Sequence, residues 1–76
     1  GKAVYGEEEV KNAVEMGAVK NMLVLQEKAK SLDIEKLMEK TEQRGGEVQL
    51  VHSDHEAGEK LEGLGGIGAT LRYKIQ

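Results

Sequence analysis

The chain contains no cysteine, no tryptophan and no phenylalanine, and Tyr5 and Tyr73 are its only aromatic residues. Without cysteine, neither a disulfide nor a thiolate-bound metal can stabilise the fold. The core must therefore be built from valine, leucine, isoleucine, methionine and alanine. A chain of 76 residues has room for one small core, and the packing of such a core gives modest stability. We expect residues 1–76 to form a single domain that is one module of a longer protein.

The sequence also lacks a long apolar run and a surplus of basic residues. No run approaches the roughly 20 apolar residues that a membrane-spanning helix needs. The formal net charge is −3, and charges of both signs are mixed along the chain. An acidic domain lacks the positive surface that usually drives binding to nucleic acid. We therefore expect no membrane partner, and the charge argues against RNA as a direct ligand.

The spacing of apolar residues predicts two amphipathic helices in the first half of the chain. In residues 7–16 the apolar side chains fall at i, i+3 and i+4, glutamates occupy the first turn, and Gly17 is a natural stop. The second helix can be capped by Ser31 or Asp33 and ends at the basic, glycine-containing residues 44–46. The predicted inner faces are Val10, Ala13 and Val14 in the first helix, and Ile34, Leu37, Met38 and Thr41 in the second.

A third helix is predicted after a capping box. The spacing of Ser53 and Glu56 would let the serine hydroxyl accept from a backbone amide of the first turn while the glutamate reaches back. Gly58 would allow this helix to approach the sheet closely. The predicted inner face is Ala57, Gly58, Leu61 and Leu64.

The remaining apolar segments predict strands. Residues 2–5 are a short extended entry, and the apolar residues of 19–25 are typical of a strand that is buried on both faces. A third strand covers residues 48–51. Residues 67–75 alternate strictly between apolar and other residues, which is typical of an edge or antiparallel strand. The order β-α-β-α-β-α-β predicts a three-layer α/β/α sandwich.

Two motifs suggest chemistry but fail tests of context. Residues 63–68 match the G-x-G-x-x-G pattern of dinucleotide-binding loops, but that loop needs a strand before it and a helix after it, the reverse of the predicted order. Ser53, Asp54 and His55 are the residue types of a hydrolase triad, but consecutive residues cannot stack as nucleophile, base and orienting acid. The neighbouring His52 adds no recognisable metal-binding spacing. We expect no catalytic, metal-binding or cofactor-binding residue.

Three segments together resemble a known family. Residues 4–19 carry the signature Tyr-Gly…Val…Ala…Gly-Ala-Val, residues 55–61 read His-Glu-Ala-Gly-Glu-Lys-Leu, and residues 65–73 read Gly-Gly-Ile-Gly-Ala-Thr-Leu-Arg-Tyr. The combination resembles the C-terminal domain shared by the ribosome-rescue factor Pelota and the class I peptide chain release factors of archaea and eukaryotes. The resemblance covers nearly the whole chain.

Within this superfamily the sequence is more similar to the Pelota branch. Release factors typically insert a minidomain, often with cysteine pairs in archaea, after the strand that here ends near Leu25. In this chain only about five residues, 26–30, separate that strand from the next helix. The motif at residues 55–58 is also more similar to archaeal Pelota. The domain of a release factor, acting in translation termination, is the alternative.

The resemblance implies a fold, a function and a set of partners. The fold is a three-layer α/β/α sandwich with a mixed β-sheet, as in the small kink-turn-RNA-binding ribosomal proteins. The implied function is that of a cytoplasmic, non-enzymatic protein-interaction domain without a cofactor. Its implied partners are a translational GTPase of the elongation factor 1 alpha type and the ribosome-recycling ABC ATPase, while the parent protein acts on stalled ribosomes in mRNA surveillance. The predicted docking residues are Tyr5, Gly6, Leu61, Leu64, Gly65, Gly66 and Ile67.

A kink-turn RNA-binding module is a more distant alternative, because those proteins share the implied fold. They resemble one another at Gly-x-Asn-Glu-x-x-Lys in the first helical turn. Aligned on Gly6, this chain has Glu8 in place of the base-reading asparagine and Asn12 in place of the phosphate-contacting lysine. A carboxylate facing phosphates is repulsive, and the loss of a lysine removes counterion release. These substitutions argue against direct RNA recognition.

Overall fold

The computed structural model describes residues 2–73, and its elements alternate as the sequence predicts. The strands are β1 (Ala3–Tyr5), β2 (Val19–Leu25), β3 (Glu47–Val51) and β4 (Ile67–Leu71). The helices are α1 (Glu7–Glu15), α2 (Leu32–Gln43) and α3 (Glu56–Gly63), and a single 3₁₀ turn (Lys28–Lys30) precedes α2.

The four strands form one mixed sheet in the order β1-β4-β2-β3. Strand β4 runs antiparallel to both of its neighbours, and β2 and β3 are parallel. The prediction of a mixed sheet is confirmed. The alternation of β4 predicted an edge or antiparallel strand, and the structure gives an antiparallel strand in the interior of the sheet. β1 and β3 are the edges.

The hydrophobic core lies between one face of the sheet and the helices α1 and α2. The predicted inner faces of both helices are confirmed, with Met38 half-buried at the margin. The buried members of this core are Val10, Ala13, Val14, Ala18, Val19, Met22, Val24, Ile34, Leu37, Ile67, Ala69 and Leu71.

Helix α3 covers the opposite face and completes the three layers. Successive side chains of a strand point to opposite faces, so Gly68 faces away from the core that Ile67 and Ala69 enter. A Cβ placed on Gly68 would lie 3.4 Å from Cδ1 of Leu61 on α3. Leu25 and Leu61 are both buried but lie outside the main core. The α/β/α sandwich is therefore confirmed.

Backbone carbonyls at the C-terminus of α1 accept hydrogen bonds from residues that are distant in the chain. Arg44 Nη1 donates to the carbonyl oxygen of Glu15 at 3.0 Å, and the hydroxyl of Tyr73 donates to the carbonyl of Met16 at 3.1 Å. Arg72 donates through Nη2 to the carbonyl of Arg44 at 2.8 Å and through Nε to that of Val19 at 3.2 Å. Orphan carbonyls at a helix terminus need such partners. This network fixes α1 and the end of α2 against β2.

The predicted capping box of α3 is wrong. The helix begins at Glu56 with His55 as its N-cap, and no side chain caps it. Ser53 lies two residues before the N-cap, beyond the capping position, and its hydroxyl donates to Oε2 of Glu27 at 2.9 Å. The serine therefore joins two loops instead of starting a helix.

The predicted inner face of α3 is only half right. Gly58 and Leu61 are buried, whereas Ala57 and Leu64 are exposed. Because the helix ends at Gly63, Leu64 no longer follows the helical periodicity that placed it inside. The predicted extension of β4 through Tyr73 is also wrong, since the strand ends at Leu71. Its predicted end at Ile75 falls outside the described residues.

Candidate interaction surface

Two glycine turns meet where β1 ends and β4 begins. Gly6 has φ +91°, and its amide donates to the carbonyl of Ile67 at 3.0 Å. Gly65 has φ +106°, and a Cβ placed on it would lie 3.2 Å from Cα of Gly6. Both positions combine a positive φ, which side chains disfavour, with a close backbone approach. Glycine at each position lets the end of α3 lie directly against the start of α1.

The ring of Tyr5 lies beside this junction, over a glycine. Tyr5 pairs with Gly68 across the β1–β4 ladder. A Cβ on Gly68 would lie 2.9 Å from Cδ1 of Tyr5, so the missing side chain is what makes room for the ring. An aromatic side chain that covers a cross-strand glycine stabilises the sheet there. About half of the tyrosine, 48%, still faces solvent.

Four residues of the predicted docking set reach the surface together, and we call them the Tyr5 corner: Tyr5, Gly6, Leu64 and Gly65. Leu64 is 47% exposed, and its backbone carbonyl oxygen would lie 3.9 Å from a Cβ placed on Gly6. The corner therefore presents two apolar side chains on a backbone that is fixed by two turns.

The other three predicted docking residues lie beneath the surface. Leu61 is 4% exposed and Ile67 is fully buried, so neither side chain is available to a partner. Gly66 is buried as well; its amide donates to the carbonyl of Leu61 at 2.8 Å, and its carbonyl accepts from Leu25 at 3.0 Å. These three residues are buried beneath the Tyr5 corner.

Charged residues flank the corner. Three exposed glutamates, Glu7 to Glu9, form the first turn of α1 directly after Gly6. The aliphatic stem of Lys28 packs over Gly66, and a Cβ placed on Gly66 would lie 2.8 Å from Cγ of the lysine. Lys28 was not among the predicted docking residues. It lies in the 3₁₀ turn, and no pattern in the neighbouring sequence indicates that it reaches the corner.

The histidine and serine residues after β3 do not form a catalytic arrangement. The rings of His52 and His55 are 5.8 Å apart, and Nε2 of His55 lies 3.9 Å from an oxygen of Asp54 with both side chains largely in solvent. The hydroxyl of Ser53 is committed to Glu27 rather than to a histidine. Within residues 2–73, no group of three or more histidine, aspartate or glutamate side chains could hold a metal ion.

The carboxylate of Glu27, which accepts from Ser53, has a lowered pKa. Its pKa is lowered, first by a hydrogen bond from its own backbone amide and second by the hydroxyl of Ser53. Both hydrogen bonds favour the charged carboxylate. The contact joins the loop after β2 to the loop after β3.

The glycine-rich residues 63–68 lie in the context that the sequence predicts. Helix α3 ends at Gly63 and β4 begins at Ile67, so no helix N-terminus follows the loop to receive a phosphate.

The helices of residues 2–73 include none with the length and apolar character of a membrane-spanning segment.

A protein-family model called "eRF1 domain 3" matches residues 1–75 of this chain. The chain belongs to the eRF1 domain 3 family. The Pelota homologue of Methanocaldococcus jannaschii is 45% identical over 76 residues, which are 100% of this chain and 22% of that protein. The chain thus spans about a fifth of the length of the curated relatives that it matches. The predicted resemblance is confirmed.

Solved structures agree with this assignment. The domain superposes with a TM-score of 0.90 and 44% identity on a model of ribosome-bound archaeal Pelota and ABCE1, covering 100% of this chain and 22% of that one. Yeast (S. cerevisiae) Dom34, described as a translation termination-like factor that interacts with Hbs1, gives 0.89 and 36%, with 97% and 22% covered. The archaeal termination factor aRF1 gives 0.77 and 36%, with 96% and 21% covered.

Part of the signature that carries the resemblance has a structural role. Arg72 and Tyr73 donate to the carbonyls around the end of α1 and the start of β2. The paired Tyr5-Gly6 and Gly65-Gly66 form the two turns of the corner. These signature residues therefore form contacts near both ends of α1.

Proposed function

We propose that this chain is the protein-interaction domain of a Pelota-type translation factor that acts on stalled ribosomes. The observation that carries the proposal is the match of the whole chain to a Pelota homologue at 45% identity over 76 residues. The domain would recruit partners through its surface, and it would have no catalytic activity of its own. We also infer that the protein is cytoplasmic, because the proposed role is on the ribosome.

The Pelota branch is favoured over the release factors by two observations. The TM-score is 0.90 to the Pelota model, against 0.77 to aRF1 and 0.84 to the C-terminal domain of a Methanosarcina mazei release factor. The connection between β2 and α2 is filled by a single 3₁₀ turn at Lys28–Lys30, which leaves no room for an inserted minidomain.

The proposed partners follow from what relatives are found with. A Pelota protein has been described on the ribosome together with ABCE1, and Dom34 is described as interacting with Hbs1. We infer that this domain docks a translational GTPase of the elongation factor 1 alpha type and then an ABC ATPase. The Tyr5 corner is the candidate contact, since tyrosine is enriched among the residues that dominate binding energy at protein interfaces.

Direct binding to kink-turn RNA is disfavoured by charge. Glu7, Glu8 and Glu9 are all exposed at the N-terminus of α1, where kink-turn proteins meet phosphates. Carboxylates at this position would repel the RNA backbone.

Calorimetric titration tests the proposal. The domain is titrated with an archaeal elongation factor 1 alpha in the presence of a GTP analogue, and in parallel with a kink-turn RNA. We expect a dissociation constant of about micromolar, in the range of a transient signalling contact, for the GTPase and no heat for the RNA. Silence with the GTPase together with tight, salt-sensitive RNA binding would overturn the proposal.

A further inference from the structure

The outer edge of β3 is an open strand edge, at the opposite side of the sheet from the Tyr5 corner. Among residues 2–73, β3 pairs only with β2, in parallel. The carbonyl of Val51 points to β2, because it accepts from the amide of Gln26 at 3.0 Å. Backbone groups alternate in direction along a strand, so Val48 and Leu50 direct their amides and carbonyls outward.

This edge lacks three common forms of protection against strand addition. Natural edge strands are commonly blocked by proline, lysine or a bulge. Residues 47–51 read Glu-Val-Gln-Leu-Val, and the pairing of β3 with β2 runs in continuous register from Glu47 to Val51. Leu50 is 48% exposed. The edge is therefore flat, partly apolar and able to pair.

A shallow hollow lies on each face of the sheet beside this edge. The hollow on the α2 side has a volume of about 340 Å³ and is lined by Met38, Val48, Leu50 and three glutamates of α2. The hollow on the other side has about 440 Å³ and is mainly apolar, with Leu23, Val51 and Ala57 among its lining residues. An added strand would place alternate side chains into the two hollows, which is how strand addition obtains specificity.

The hollow on the α2 side is strongly acidic. Its glutamates are Glu35, Glu39 and Glu42, which are spaced by four and three residues and so share one helix face. None of them forms an ion pair with another described residue. The lysines of α2, Lys36 and Lys40, line the cleft against α1 instead. Like charges four residues apart destabilise a helix, and a cation from outside would relieve that repulsion.

We propose that the outer edge of β3 binds an extended segment of a partner protein in which basic and apolar residues alternate. The segment adds a fifth strand to the sheet through the backbone groups of Val48 and Leu50. Its lysine or arginine side chains lie along Met38 and reach the three glutamates, since long basic side chains pack their stems on apolar surface while the charge stays in water. Its apolar side chains enter the hollow beside Val51.

Charge argues against a second copy of this chain as the occupant. Two copies paired through β3 would bring two acidic faces of α2 together, and β3 supplies no basic residue to neutralise them. Like-charge juxtaposition at an interface is a strong penalty. A basic segment meets no such penalty.

The test uses a capped eight-residue peptide of alternating lysine and valine, titrated into the ¹⁵N-labelled chain and followed by amide chemical shifts. We expect saturable shifts concentrated at Val48 and Leu50, and no binding by the matched glutamate–valine peptide. Glu39→Lys should weaken binding about fivefold or more, because an attractive pair becomes a repulsive one. Glu8→Lys, which makes the same charge change on α1, should leave the affinity within about twofold of the wild type, because Glu8 does not line the hollow and salt screens charges that are not in contact.

A backbone variant separates strand addition from simple charge attraction. Leu50→Pro removes an outward amide that β2 does not use, a change that edge strands tolerate, and it should abolish the shifts while the circular dichroism spectrum is retained. If Leu50→Pro unfolds the chain, the position of the amide shifts decides: shifts concentrated at Val48 and Leu50 support strand addition, and shifts confined to α2 contradict it. Absence of binding at millimolar peptide, equal binding of the acidic peptide, or self-association of the chain through β3 would each overturn the proposal.

Discussion

Gly58 provides the sharpest test of how α3 is positioned. A Cβ at this residue would lie 1.8 Å from the carbonyl oxygen of His52 and 2.9 Å from Cα of Ser53. Both contacts are with backbone, so no side-chain rotation can relieve them. Gly58→Ala therefore forces α3 away from the loop after β3, and with it the end of the helix that forms the Tyr5 corner.

The expected loss of stability follows from two opposing effects. Alanine in place of glycine inside a helix gains about 1 kcal/mol of helix propensity. Overpacking costs about 1–3 kcal/mol and more when the backbone must move, and contact at 1.8 Å lies far inside van der Waals distance. We predict a net loss of about 2 kcal/mol, which is a large part of the roughly 4–11 kcal/mol typical of a domain of this size.

Urea unfolding followed by circular dichroism measures this loss, and α3 supplies its own control. Gly63 lies in the same helix, and a Cβ there would meet no atom within 4 Å. Gly63→Ala should therefore stabilise the domain by about 0.5–1 kcal/mol. A Gly58→Ala variant as stable as the wild type would show that the close approach of α3 to His52 is not a packing constraint.

Three further changes have expected outcomes. Arg72→Met should lower the free energy of unfolding in urea by about 1–2 kcal/mol, because two backbone carbonyls lose their hydrogen bonds; an unchanged value would contradict the role of Arg72. Met22→Ala, at a fully buried residue, should cost about 2–5 kcal/mol in the same assay, and a loss below 1 kcal/mol would refute the packing argument. The lowered pKa of Glu27 means that its charged form stabilises the fold above the unfolded glutamate pKa of about 4.3 and that this contribution is lost as the pH falls through the folded value. Glu27→Gln should therefore flatten the decrease in stability on the acid side, measured as the melting temperature between pH 6 and pH 3, and an unchanged pH profile would contradict it.

The layers of the fold were predictable from the sequence, since hydrophobic periodicity reports which face of a helix is buried. The faces of α1 and α2, including Val14 and Thr41, agree with the structure. The predicted capping box was wrong because the helix begins at Glu56, with His55 rather than Ser53 as its N-cap. The hydroxyl of Ser53 instead donates to Glu27, which is remote in sequence.

The candidate surfaces were predictable only in part. Gly6 and Gly65 were among the predicted docking residues, and the structure adds that both have a positive φ. Leu61 and Leu64 were both predicted to face the sheet. Only the observed end of α3 at Gly63 explains why Leu61 is buried and Leu64 is exposed. The open edge of β3 depends on the strand order, which local residue patterns do not encode. No sequence signal could therefore have identified it.

We propose that this domain binds a translational GTPase through the Tyr5 corner, and two matched leucine variants test this proposal. Leu64 in the corner and Leu50 on the edge of β3 are leucines of nearly equal exposure, 47% and 48%. Leu64→Asp and Leu50→Asp are each titrated calorimetrically with elongation factor 1 alpha in the presence of a GTP analogue, after circular dichroism has verified the fold. We predict that Leu64→Asp weakens binding at least about tenfold, because it would bury an unpaired charge in the contact, and that Leu50→Asp binds like the wild type. Equal affinities for the wild type and Leu64→Asp would contradict the claim.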